Sequence, residues 1–206
     1  VIQVLGEHLA PGMEIQVAIL AHNIPDEWPE DIQQSLQNIP DAVRDADLKK
    51  RTDLRHLPFV TIDGEDAKDF DDAVYCKVKP KGGFQLFVAI ADVSHYVSTN
   101  SALDNEAVRR GNSVYFPEYV VPMLPEVLSN GICSLKPKVD RLCMVMEMAI
   151  TQSGKIQRYR AYRAVIHSKA RLTYNKVAKW LEDDTAETQY QKEIWPAIQS
   201  LYALFK

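Results

Sequence analysis

Six carboxylates fall within ten residues, at Asp63, Glu65, Asp66, Asp69, Asp71 and Asp72, with Lys68 as the one cation among them. Carboxylates packed this closely raise one another's pKa, and a folded chain keeps them ionised by solvating them or by placing cations among them. Hard divalent cations such as Mg²⁺ take oxygen ligands of this kind, so a metal site is the first chemistry the stretch offers. An EF-hand calcium loop fails on spacing, because counting from Asp63 puts Ala67 and Lys68 where a ligand and a glycine belong. Two readings stay open on spacing alone. One is a solvated acidic loop. The other is a catalytic site in which two ions ~3.5–4 Å apart clamp the attacking and leaving oxygens of a phosphoryl transfer. The second is favoured, because unpaired charge bracketed by buried strands is heavily penalised.

The elements around this stretch follow from periodicity. Residues 59–62 and 73–76 are rich in β-branched and aromatic side chains and read as strands, which puts the acids on a loop between two elements that run into a core. After the Gly82-Gly83 turn, residues 84–91 form a nearly continuous apolar run, as expected of a strand buried on both faces. Its end delivers Asp92 and His95 into a loop, where His95 reads as a hydrogen-bonded histidine in preference to a catalytic base. Ser101 to Asp104 matches a capping box, and the helix it opens should end at Gly111. Residues 114–116 are strand-like, and Tyr115 is either a core residue or a ring offered to a nucleobase. Proline and glycine punctuation frames a small helix around residues 126–128. Leu142, Met144, Met146, Met148 and Ile150 alternate along a strand as core filling. A Ser153-Gly154 turn leads to a second strand through Arg158, Arg160 and Tyr162. Thr173 caps a helix, and apolar residues recur at helical spacing over 194–205.

Towards the N-terminus, Val1–Leu5 and Glu14–Leu20 read as two strands at the end of a β-structure covering residues 1–24. Residues 25–50, with a short helix opened by Pro29, form a linker. Both ends of the chain fall within elements, so a piece of a longer protein is expected. The hydrophobic fraction of 46% and charged fraction of 25% are ordinary for a soluble globular protein. The three cysteines show no paired spacing, which argues against a disulfide framework and for a reducing cytoplasm. No apolar run approaches the ~20 residues that span a bilayer. The net charge of -4 hides an uneven distribution: residues 148–181 hold eight cations and no acid. That block is either a solvated face or a phosphate-binding surface. The interleaved Tyr159 and Tyr162 favour phosphate contact, with Arg158, Arg160, Lys169 and Arg171 as candidates.

A run of motifs carries a family resemblance. Thr61-Ile62-Asp63-Gly64-Glu65-Asp66-Ala67-Lys68-Asp69-Phe70-Asp71-Asp72-Ala73-Val74-Tyr75 closely resembles the active-site segment of the ribonuclease II and ribonuclease R exoribonucleases, nearest the bacterial ribonuclease R branch. Residues 88–94, 113–117, 121–125, 128–131 and 170–174 are similar to the family's next segments in the same order. The resemblance implies an α+β (mixed α/β) fold: the N-terminal part of an RNB-type catalytic domain over residues 51–206, preceded by the last strands of an OB-fold cold-shock domain. It implies a processive 3′-to-5′ exoribonuclease that uses Mg²⁺, or Mn²⁺ in its place, to hydrolyse RNA to nucleoside 5′-monophosphates. The substrate it implies is single-stranded RNA, or structured RNA with a 3′ overhang, met by a monomeric protein. Asp63, Asp69, Asp71 and Asp72 would be the metal-binding and catalytic set, Asp71 mattering most to chemistry, and Tyr115 would hold the 3′-terminal nucleotide. The remainder of the family's architecture, including an arginine near the scissile phosphate, falls outside these residues, so the segment alone is expected to be nearly inactive. The alternative from another class is a non-catalytic RNA-binding module.

Overall fold

The alternation that flanks the acidic stretch builds the middle of a sheet. The computed structural model describes residues 12–206. In chain order its main elements are α1 (Met13–Ala21), α2 (Glu30–Leu36), β1 (Thr52–Asp53), β2 (Val60–Asp63), β3 (Asp72–Val78), β4 (Phe84–Ala91), α3 (Ala102–Arg110), β5 (Val114–Phe116), β6 (Tyr119–Val121), β7 (Asp140–Ile150), β8 (Ile156–His167), β9 (Ala170–Thr173), α4 (Tyr174–Glu182) and α5 (Trp195–Phe205). They divide into two units, one running through Ile39 and resuming over Val97–Glu126, the other made of Pro40–Tyr96 and Val127–Lys206.

The larger unit is a mixed seven-stranded sheet in the order β1-β8-β7-β4-β3-β2-β9. Its flanking pairs, β1 with β8 and β2 with β9, are parallel, and the pairs between are antiparallel. Gly82 and Gly83 at φ 84° and 76° make the β3–β4 turn, and a Cβ at Gly83 would run into the Ile150 carbonyl. Ala73, Ala89 and Val145 are successive cross-strand partners and all buried, which marks the covered face. Phe59, Tyr75 and Phe87 pack ring against ring. At the β2–β9 side, Val60, Leu172, Trp180, Ile194 and Ile198 form one cluster, with Val74 against it, so α4 and α5 close that flank. Thr173 Oγ1 accepts from the Lys176 amide and caps α4 as the sequence predicts.

The smaller unit packs α2 against α3. Ser101 caps α3 and Gly111 ends it, as expected from the capping box. Glu106, buried, takes both Arg109 and Arg110, and the Arg110 guanidinium lies 3.5 Å over the Trp28 ring. The β5–β6 hairpin carries Tyr115 with 67% of its surface exposed, so it is not a core residue.

Three expectations are corrected. Residues 14–20 are helix, not strand: the run is apolar on both parities, so period two was never unique, and Ile15, Ala18 and Ile19 face inward at helical spacing. The Val1–Leu5 strand lies outside the described residues. Strand β4 is buried on one face only, since Ile90 is 48% exposed and Leu86 and Val88 are half-buried. The methionine stripe shares that half-open face, with Met144 exposed and Met146 and Met148 half-buried, while Cys143, Val145 and Ala149 supply the core from the opposite parity.

Candidate active site

Asp63 closes β2 and Asp72 opens β3, so two of the four aspartates leave from strand ends and Asp69 and Asp71 from the loop that joins them. Repulsion among them pushes the loop apart, and main-chain contacts hold it. The Ser134 hydroxyl accepts the Phe70 amide at 3.0 Å and donates to the Lys68 carbonyl at 3.1 Å. The Leu135 amide takes the Phe70 carbonyl at 2.8 Å, and the Ala91 amide takes the Asp71 carbonyl at 2.9 Å. Phe70 is buried and anchors the middle of the loop. The first half is held by Arg171, whose Nη2 donates to the carbonyls of Gly64 and Glu65, and Asn175 Nδ2 reaches Glu65 Oε1 at 3.2 Å.

The electrostatics follow from this crowding. Burial raises the Asp63 carboxyl above its ordinary range, Asp72 and Asp69 add to the shift, and Arg171 opposes it. Asp71 is exposed by surface area, yet its carboxyl is raised as well, by partial desolvation first and then by the charges of Asp69, Asp72 and Asp63. Asp63 Oδ2 is buried with no hydrogen-bond partner. A buried carboxylate oxygen without a donor is costly, and a cation would relieve both it and the mutual repulsion. The all-oxygen donor set and this orphaned atom fit a hard divalent ion. Among the described residues, no three His, Cys, Asp or Glu side chains already converge as a metal cage.

Of the cations predicted to meet phosphate, most have partners within the chain. Arg160 pairs with Glu147 at 2.7 Å, and Glu147 also accepts from Tyr162 at 2.8 Å. Lys169 meets Glu193 at 3.2 Å, and Arg171 serves the acidic loop. Arg158 is exposed and lines a pocket of about 320 Å³ with Gln85, Glu147 and Tyr159. Tyr115 stands in the smaller unit. Sequence reasoning missed Ser134 and Arg51. Ser134 lies in an aperiodic stretch far along the chain, so no local pattern announces it. Arg51 forms a 2.6 Å ion pair with Asp92, both side chains almost fully buried. His95 is a hydrogen-bonded loop histidine, between Arg51 at 3.3 Å and Asp47 at 3.2 Å.

Comparison with known proteins agrees with this architecture. The RNB domain model matches residues 51–206, and a cold shock domain model matches residues 1–29. A ribonuclease R of Vibrio parahaemolyticus is 57% identical over 206 residues, covering 100% of this chain and 25% of that protein. One from Vibrio cholerae is 55% identical over the same span and share. The chain thus spans about a quarter of the length of these relatives. The structure of Mycoplasma genitalium RNase R in complex with double-stranded RNA superposes with a TM-score of 0.91 at 38% identity, over 98% of this chain and 36% of that one. With its acidic loop set between β2 and β3 of a mixed sheet, and the family match running from residue 51 to 206, the chain belongs to the RNB domain family to which ribonuclease R also belongs.

Proposed function

We propose that this chain carries the metal-binding loop of a processive 3′-to-5′ exoribonuclease that hydrolyses single-stranded RNA, or structured RNA with a 3′ overhang, to nucleoside 5′-monophosphates. The observation that carries the reading is the Asp63–Asp72 loop, where raised carboxyls and the unpartnered Asp63 Oδ2 call for a cation. Asp63, Asp69, Asp71 and Asp72 would hold Mg²⁺, with Mn²⁺ as a substitute. When bound, the ion supplies Lewis-acid stabilisation of phosphoryl charge and activation of the attacking water. The chain's own part is positioning: Ser134, Leu135, Ala91 and Arg171 hold the loop so that like charges stay together. Asp71, raised by partial desolvation and by the charges of Asp69, Asp72 and Asp63, is the residue whose loss should remove hydrolysis while sparing RNA affinity. Tyr115 offers an exposed ring for stacking on the 3′-terminal base, and Arg158 an exposed cation for a phosphate.

The activity belongs to a longer, monomeric protein, and the 206-residue chain by itself should turn over RNA very slowly, since positioned cations beyond the loop are needed for developing charge. Three buried, unpaired thiols suit the reducing cytoplasm. Among the described residues no helix is long and apolar enough to cross a membrane. A second reading, a non-catalytic RNA-binding module, draws on the basic block over residues 148–181, where Arg158 and Tyr159 stand exposed. Asp71→Asn in an intact protein carrying this segment separates the two. Loss of hydrolysis with RNA binding retained supports the nuclease, and hydrolysis at the wild-type rate refutes it.

A further inference from the structure

Behind the acidic loop lies a chain of charges that the proposed chemistry does not use. Arg51 Nη2 meets Asp92 Oδ2 at 2.6 Å, with 3% and 1% of the two side chains exposed. Ser94 Oγ donates to Asp92 Oδ1 at 2.7 Å, and Arg163 Nε stands 3.9 Å from Oδ2. Arg51 also reaches His95 Nδ1, and His95 Nε2 lies 3.2 Å from Asp47 Oδ1, which Arg44 holds from outside. Arginine offers only donors, so His95 Nδ1 faces Arg51 as the acceptor and Nε2 faces the Asp47 carboxylate. A buried ion pair is a poor stabiliser, because desolvation offsets much of its attraction and apolar replacements of similar volume are often neutral or better.

The position of the pair is informative. Asp92 directly follows Ala91, whose amide holds the Asp71 carbonyl, and the Asp92 amide is itself fixed by the Leu142 carbonyl. The end of β4 is therefore the backstop against which a self-repelling loop is held. Pinning the Asp92 carboxylate pins that backstop.

We infer that the Arg51–Asp92 pair, braced by Ser94, His95 and Asp47, is a positioning device that holds Asp71 in register and thereby sets the loop's affinity for a divalent cation. This rests on the metal-site reading above. The test is calorimetric titration of an intact protein carrying this segment with Mn²⁺, alongside its Tm. Asp92→Asn should weaken Mn²⁺ binding about tenfold or more, as loss of an outer partner of a ligand does, and should lower Tm, since it leaves the buried Arg51 without its charge partner. Should Asp92→Asn fail to fold, the double change Arg51→Met with Asp92→Leu replaces it, being apolar and of similar shape, and should fold yet show the same loss. Wild-type affinity in either folded variant overturns this inference alone. A wild-type protein that takes up no Mn²⁺ overturns the metal-site reading together with it.

Discussion

The Ser134 hydroxyl holds the Phe70 amide at 3.0 Å, joining a loop residue to one more than sixty positions along the chain. Because the same oxygen donates to the Lys68 carbonyl, one small side chain satisfies both main-chain groups beside Asp69. Ser134→Ala leaves a buried amide without an acceptor and should destabilise the chain by about 1–3 kcal/mol, read from urea unfolding. It should also weaken Mn²⁺ binding, which a purely packing role for Ser134 would leave unchanged.

Arg171 joins the basic block in sequence but the acidic loop in space, through the Gly64 and Glu65 carbonyls. Arg171→Met keeps much of the stem volume and removes both donors. The expected outcome is lower divalent-cation affinity with stability nearly unchanged, measured by calorimetry and thermal unfolding. A large loss of Tm without change in affinity would contradict the assignment.

Acid stability carries a signed prediction. Burial alone would raise Asp92, but the Ser94 hydroxyl and the Arg51 guanidinium outweigh it and hold the carboxyl below its ordinary value. A depressed folded-state pKa contributes stability that is present above the unfolded value, about pH 4, and is lost as pH falls through the folded value. The metal-free chain should therefore lose stability on acidification below about pH 4, and Asp92→Asn should flatten that limb of a Tm-against-pH curve. An identical acid limb in wild type and variant would refute the pairing.

Tyr115 is two-thirds exposed, so Tyr115→Ala should leave Tm within experimental scatter. In the intact protein it should cost about 1–3 kcal/mol of affinity for single-stranded RNA, the usual worth of one base stacked on an aromatic ring. Unchanged RNA affinity in a binding assay would remove Tyr115 from the site.

Much of this was legible in the chain, for identifiable reasons. The capping residues Ser101 and Thr173, the Gly82-Gly83 turn and the β7–β8 hairpin are local signals, and each formed where its chemistry placed it. The acidic loop was visible because charge density and flanking strands lie within twenty residues. What could not be read was non-local. Helix α1, the half-open face of β4 and the exposure of the methionines on β7 depend on which face the rest of the fold covers, and runs apolar on both parities leave that choice open. The partners of Arg51, Arg160 and Arg171 lie 41, 13 and 107 positions away, so their charges look uncommitted in sequence and are engaged in space.

The central claim is that Asp71 belongs to a catalytic metal site. It is tested most directly by comparing Asp71→Asn with wild type in an intact protein carrying this segment, following release of nucleoside 5′-monophosphate from 3′-tailed single-stranded RNA with Mg²⁺ present. The account predicts that hydrolysis falls by a factor of 10² or more, on the order expected when an electrostatic catalytic group is lost, while RNA affinity stays within about twofold. Hydrolysis by the variant at the wild-type rate would contradict it.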